Sequence, residues 1–92
     1  MNSEINKLLE IMESLLAGEL CCEEAQQRVD ALSMEEFPDL YGNLFHYYGD
    51  DDIRKNDSEY KQFQDGELVK LISHLKSGDI KSANSISFLH ES

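Results

Sequence analysis

The stretch FPDLYGNLFHYYGDDD, residues 37–52, joins an apolar helical repeat to a run of acidic residues. Its apolar and aromatic side chains recur every three or four positions: Phe37, Leu40, Tyr41, Leu44, Phe45 and Tyr48. This spacing predicts an α-helix with those side chains turned toward a core. Four polar side chains then fall on the opposite face: Asp39, Asn43, His46 and Asp50. Tyr47 flanks that polar face, provided that the helix continues through Gly49.

The residues before this stretch predict two more helices. The first has an apolar stripe at helical spacing and ends at Gly18: Ile5, Leu8, Leu9, Met12, Leu15 and Leu16. In the second, Ala25, Val29 and Leu32 share one stripe, and Cys21 stands where a capping residue is expected. The residues SMEE, 33–36, resemble a capping box, and Pro38 so soon after them indicates either one short turn or Pro38 in the first turn of the next helix.

After residue 52 we expect a loop through Asn56 and then a long helix. Asp57 or Ser58 caps this helix, Gly78 ends it, and its buried stripe is made of six side chains: Tyr60, Phe63, Leu68, Leu71, Ile72 and Leu75. The serine-rich tail predicts a shorter, weaker helix with four apolar positions: Ile80, Ala83, Ile86 and Leu89. We therefore predict one domain, residues 1–92, that folds as an all-α compact bundle of four to five helices.

Charge is distributed very unevenly along the chain. Thirteen acidic and two basic residues precede Ile53 and account for the whole formal charge of −11, whereas later acidic and basic residues balance. This asymmetry argues against direct binding of nucleic acid or an anionic membrane, and for a basic protein partner. A solvated acidic surface that serves only solubility is the simpler alternative. The N-terminus lacks the pattern of a secretory signal, and no membrane span is evident, so we expect a cytoplasmic protein.

The sequence predicts neither an enzyme nor a cofactor. His46, His74 and His90 are scattered, and we expect His74 at the boundary of the core and His90 in the tail. Cys21 and Cys22 are expected to be reduced, because adjacent residues make a strained disulfide, and their acidic segment should raise a thiol pKa. An EF-hand that starts at Asp50 would place basic residues at several of its key positions, and His46 with Asp50 is weak evidence for a metal site.

Tyr47 and the three aspartates require another explanation. The helical phase predicts that Tyr47 is exposed among acidic and amide groups, as protein-binding hot spots often are. Asp51 and Asp52, at the predicted C-terminus of the helix, would oppose its dipole, so stability alone does not favour them there. We predict a partner-binding surface made of nine residues: Glu35, Glu36, Asp39, Asn43, His46, Tyr47, Asp50, Asp51 and Asp52.

The motif HYYGDDD resembles part of the bacterial immunity proteins that neutralise nuclease toxins in bacteriocin and contact-dependent growth inhibition systems. In the members that act on DNase colicins, a short helix carries a tyrosine pair, then proline, then acidic residues. Tyr47 and Tyr48 match the pair, Asp50, Asp51 and Asp52 match the acids, and Gly49 stands in place of the proline. The resemblance covers this central stretch together with the size and charge of the chain.

The resemblance implies a cytoplasmic bacterial protein that binds a cognate basic nuclease toxin, a DNase or an RNase such as a tRNase, as a monomer in a 1:1 complex. Carboxylates would take the phosphate positions of the nuclease cleft, or cover a nearby exosite, while aromatic side chains prolong the contact. Two alternatives remain. One is an acidic nucleic-acid mimic, an anti-regulator that binds a DNA-binding protein. The other is a small adaptor subunit whose first and fourth predicted helices have partly exposed apolar stripes.

Overall fold

Residues 3–88, the part of the chain described by a computed structural model, fold into helices without strands. Six α-helices follow in chain order: α1 (Ser3–Leu16), α2 (Cys22–Asp30), α3 (Pro38–Gly49), α4 (Asp51–Asn56), α5 (Ser58–Ser77) and α6 (Ile80–Asn84). The predicted all-α fold is confirmed, and the predicted bundle of four to five helices is roughly consistent with the four helices of seven or more residues. The expectations for Leu89 and His90 lie outside the described residues.

The first and last long helices pack against each other and form the centre of the bundle. α1 contacts α2 and α5, and α5 also contacts α4 and α6, while α3 lies between α2 and α6. The buried stripe of α1 consists of Leu8, Ile11, Met12 and Leu15, and that of α5 of Leu68, Leu71, Ile72 and Leu75. Most of both predicted stripes is thus buried within the chain itself, whereas Leu16 of the α1 stripe is 36% exposed.

Both long helices end in the same way. Gly18 and Gly78 have φ of 77° and 76°, a left-handed conformation that glycine adopts without steric cost. Beyond α1, the amides of Gly18 and Glu19 donate to the carbonyls of Leu15 and Ser14, and α5 ends with the equivalent pair of bonds. These paired bonds form Schellman motifs, so both predicted helix ends are confirmed.

The start of α3 depends on a residue from the other end of the chain. Phe37 occupies the N-cap position and its side chain makes no capping hydrogen bond, whereas Pro38 is the first residue of the helix. The amides of Asp39 and Leu40 donate instead to Oδ1 of Asn84, each at 3.0 Å. α6 therefore caps α3, and the position suggested for Pro38 in the first helical turn is confirmed.

The predicted loop through Asn56 is wrong, because residues 51–56 form the short helix α4. Asp51 and Asp52 lie in its first turn and Arg54 and Lys55 in its last turn. Both pairs of charges therefore favour the dipole of α4, the reverse of the arrangement expected at the end of α3. Asp57 caps the next helix, with Oδ1 accepting from the amides of Glu59 and Tyr60.

No helix within residues 3–88 combines the length and the apolar character needed to cross a lipid bilayer.

Candidate protein-binding surface

Three of the predicted surface residues lie together along α3. Asp39, Asn43 and His46 line an open groove of about 590 Å³ whose other wall contains Asn84 and Ser85. His46 and Asp39 are exposed, while Asn43 is half-buried and its Nδ2 donates to the carbonyl of Ile86 at 2.7 Å. This polar face of α3 is therefore partly used to hold the C-terminal segment.

Glu35 and Glu36 are exposed in the turn that precedes α3. Together with Glu4 they line a small pocket of about 200 Å³ beside the buried Phe37. Since a helix rises about 1.5 Å per residue, this acidic turn and the acids that follow Gly49 are separated by about 18 Å, the length of α3. The predicted surface consequently has two acidic ends, not one continuous patch.

The prediction that Tyr47 is exposed is wrong. Its side chain is 4% exposed, and its ring makes an edge contact with Phe88 at a centroid distance of 5.2 Å. The guanidinium of Arg54 lies over the same ring, 3.7 Å from its centroid. Burial raises the pKa of the Tyr47 hydroxyl, which donates to Asp65 at 3.3 Å. Tyr47 is therefore a core residue, fixed by a cation–π contact and an aromatic pair.

The buried stripe of α3 explains this correction. It consists of the N-cap residue Phe37 and of Leu40, Leu44 and Tyr47. The next buried side chain after Leu44 is therefore that of Tyr47 and not that of Tyr48. Tyr41 and Tyr48 were predicted to face the core, and both are half-buried against it. Phe45 was also predicted to face the core, but it is 41% exposed, so that prediction is wrong.

The three consecutive aspartates have three different environments. Oδ2 of Asp50 accepts from the hydroxyl of Tyr60 at 2.6 Å and from Nε2 of Gln64 at 2.9 Å. Asp51 pairs with Lys55 at 3.1 Å and with Arg54 at 3.5 Å. Asp52 is exposed, and among the three it is the carboxylate best placed to meet a partner.

Arg54 and Gln64 form a buried polar network that the sequence pattern does not reveal. Arg54 is 7% exposed, and its Nη1 donates to the backbone carbonyl of Tyr47 and to Oε1 of Gln64. Gln64 is fully buried, and its Nε2 also donates to the carbonyl of Phe88 at 2.9 Å. The network thus ties the end of α3 to α4, α5 and the C-terminal segment.

The hydrogen bond between Tyr60 and Asp50 should make the free energy of unfolding depend on pH in alkaline solution. That bond, with a smaller effect of burial, raises the pKa of Tyr60 from 10.0 to about 12. A raised folded-state pKa means that the contribution of Tyr60 to stability is complete below pH 10 and is lost as the pH rises toward 12. We expect urea unfolding at pH 9 and pH 11 to show a smaller loss of unfolding free energy for Tyr60→Phe than for the unchanged chain. Equal losses in the two chains would contradict the assignment.

The two adjacent cysteines have different environments, since Cys21 is exposed and Cys22 is half-buried. Cys21 and Cys22 are free thiols, and Nη2 of Arg54 donates to Sγ of Cys22 at 3.4 Å. The pKa of Cys22 is raised, as expected, but chiefly by burial and not by the acidic segment, while Arg54 acts in the opposite direction. No group of three or more metal-ligating side chains occurs among the described residues.

Sequence reasoning missed four residues that define this surface and its support: Phe45, Arg54, Gln64 and Phe88. The sequence did contain a signal for Gln64, because it is a polar residue at helical spacing between Tyr60 and Leu68 in an otherwise apolar stripe. Phe88 lies in the brief apolar alternation SISFL, residues 85–89, and it is fully buried. Arg54 left no trace, since nothing in the local pattern separates it from Lys55.

Comparison with known proteins gives no relative, since no family model matches the chain and no curated protein or solved structure is significantly similar to it. Proposals for its function rest on its charge, its surface and its contacts.

Proposed function

We propose that this chain is an immunity-type inhibitor that binds a basic nuclease toxin and neutralises it without catalysing a reaction. The observation that carries the proposal is the charge of the first 52 residues. They hold thirteen carboxylates and two cationic side chains, and ten of the thirteen acidic residues are exposed. A surface of this kind attracts a protein whose own surface is strongly basic, and a nuclease must be basic where it holds phosphates.

The proposed mechanism is occlusion of the nuclease. Exposed carboxylates of the chain occupy positions where the nuclease would hold phosphate groups, and charge attraction speeds the encounter. Glu35, Glu36 and Asp39 supply the acid at the start of α3, and Asp52 supplies it beyond the end. Asp50 and Asp51 contribute to the field at longer range, since both are half-buried.

Co-purification with a neighbouring gene product tests this function. The chain is co-expressed with the reading frame immediately upstream, and the complex is washed with salt and then dissociated in denaturant. We expect a basic protein to be retained in a 1:1 complex, and we expect nuclease activity against DNA or RNA after the freed protein is refolded. Adding back the chain should abolish that activity.

Two outcomes would overturn the proposal. One is an upstream product that neither binds the chain nor cuts nucleic acid. The other is binding to a protein that recognises DNA without cutting it, which would establish the nucleic-acid mimic instead. Light scattering measures the mass of the complex. A 1:1 mass fits an inhibitor or a mimic, whereas a larger mass indicates an assembly built by an adaptor subunit.

A further inference from the structure

An aromatic side chain projects from the acidic half of the chain. Phe45 is 41% exposed and makes edge contacts with Tyr41 and Tyr48, with ring centroids 5.2 Å and 6.1 Å apart. Tyr41 is held in turn, because its hydroxyl donates to Oδ1 of Asp30 on α2 at 2.6 Å. Phe45 is thus held in a defined position before any partner arrives, which lowers the entropy lost on binding.

Two glycines stand near Phe45 on α3, so few side-chain atoms cover the helix backbone there. Gly42 and Gly49 lie one helical turn away along α3, and a Cβ atom at either position would meet no other atom within 4 Å. The φ angles of both are negative, so neither backbone conformation requires glycine. Glycine is disfavoured relative to alanine inside a helix, and the internal packing gives Gly42 no reason to remain glycine. Gly66 on α5 has equally open surroundings, so Gly42 does not by itself indicate a contact surface, but it leaves room for a partner to approach the backbone of α3 closely.

The charge around this face indicates what approaches it. α3 contains no lysine or arginine, and the three helices that contact it, α2, α4 and α6, contain four cationic residues against five acidic ones: Arg28, Arg54, Lys55 and Lys81 against Glu23, Glu24, Asp30, Asp51 and Asp52. Asp30 and Asp39 are exposed on α2 and α3. A partner with cationic groups would be complementary to these exposed acids, and the face of an aromatic ring also attracts an arginine or lysine side chain.

We propose that the outer face of α3, centred on Phe45, is the docking surface for the basic nuclease toxin. This inference rests on the proposed function and names its aromatic contact, which is Phe45 and not the tyrosine pair. The toxin surface that fits is an apolar hollow bordered by arginine or lysine side chains. Phe45 enters the hollow, and exposed carboxylates of the acidic half, such as Asp39 and Asp52, meet the cations.

Two variants test the docking surface against the protein encoded upstream. Phe45→Ala is expected to raise the dissociation constant about ten-fold or more, mainly through faster dissociation, as removal of a central aromatic contact does. Its melting temperature should fall by only a few degrees, because the ring is 41% exposed and loses two edge contacts, with Tyr41 and Tyr48. Gly42→Ala is expected to weaken binding while raising the melting temperature, since the added methyl group meets only the partner.

Gly66→Ala is the matched control for Gly42→Ala. Gly66 is also an exposed glycine inside a helix, and a Cβ atom there meets nothing within 4 Å, but it lies on α5. It should raise the melting temperature equally and leave the dissociation constant unchanged. Lysozyme, a basic protein with no cognate relation, controls for attraction by charge alone.

The outcomes separate this inference from the proposed function. If the unchanged chain does not bind the upstream protein, both are overturned. If the unchanged chain binds it and inhibits it, but Phe45→Ala binds equally well, the docking surface is wrong and the inhibitor proposal stands. Equal retention of lysozyme and the upstream protein would also overturn the docking surface, because a fitted aromatic contact discriminates between them.

Discussion

Arg54→Ala is expected to lower the free energy of unfolding by about 3 kcal/mol. The substitution removes the donor to the Tyr47 carbonyl and to Oε1 of Gln64, and it leaves both acceptors in the interior without that partner. It also removes the guanidinium that covers the ring of Tyr47. Equilibrium urea denaturation followed by circular dichroism measures the difference.

Lys55→Ala is the control for this prediction. Lys55 is the next residue of α4, and it also pairs with Asp51, but its side chain is 69% exposed. An exposed pair contributes little, so we expect a loss below about 0.5 kcal/mol. Arg54→Lys should lie between the two, since an ammonium group keeps the charge but lacks the planar fork that reaches several acceptors. Equal effects at positions 54 and 55 would show that the buried network does not stabilise the fold.

Most of the helices could be predicted because their signals are local. The stripe of α1, the glycines after α1 and α5, and the cap at Asp57 all lie within a few residues of the structure that they specify. α4 could not be predicted in this way. It is only six residues long, and its Arg54 bonds to Tyr47 and Gln64, seven and ten residues away, which a local pattern does not contain.

The candidate surface was harder to predict for a related reason. α3 contains six apolar or aromatic side chains, and their spacing alone does not decide whether Tyr47 or Tyr48 completes the buried stripe. The decision comes from Arg54 and Phe88, which follow later in the chain and enclose the ring of Tyr47. Burying Tyr47 leaves Phe45 as the exposed aromatic residue of the helix. One change of helical phase thus exchanged a core residue and a surface residue.

Reversal of two exposed charges is expected to slow the encounter with the basic toxin about ten-fold at low ionic strength. The variant combines Glu35→Lys with Asp52→Lys, one exposed acid from each end of α3. Asp50 and Asp51 are unsuitable for this purpose, because their carboxylates have partners within the fold, so their substitution would confound stability with binding. Stopped-flow association rates at several salt concentrations measure the effect, which should shrink as salt shortens the Debye length to about 3 Å at 1 M.

The two reversals change the net charge by +4 in total. A control variant makes the same change of +4 on α5. Glu59→Lys, Gln62→Lys and Ser73→Lys alter exposed positions in the electrically neutral half of the chain. If the partner approaches α3, the control should slow association much less than the variant with Glu35→Lys and Asp52→Lys. If both slow it equally, the total charge governs the encounter and no particular face is preferred. Slow association that persists at high salt would instead mean that Glu35 or Asp52 makes a direct contact in the complex, because screening removes long-range attraction before it removes a close pair.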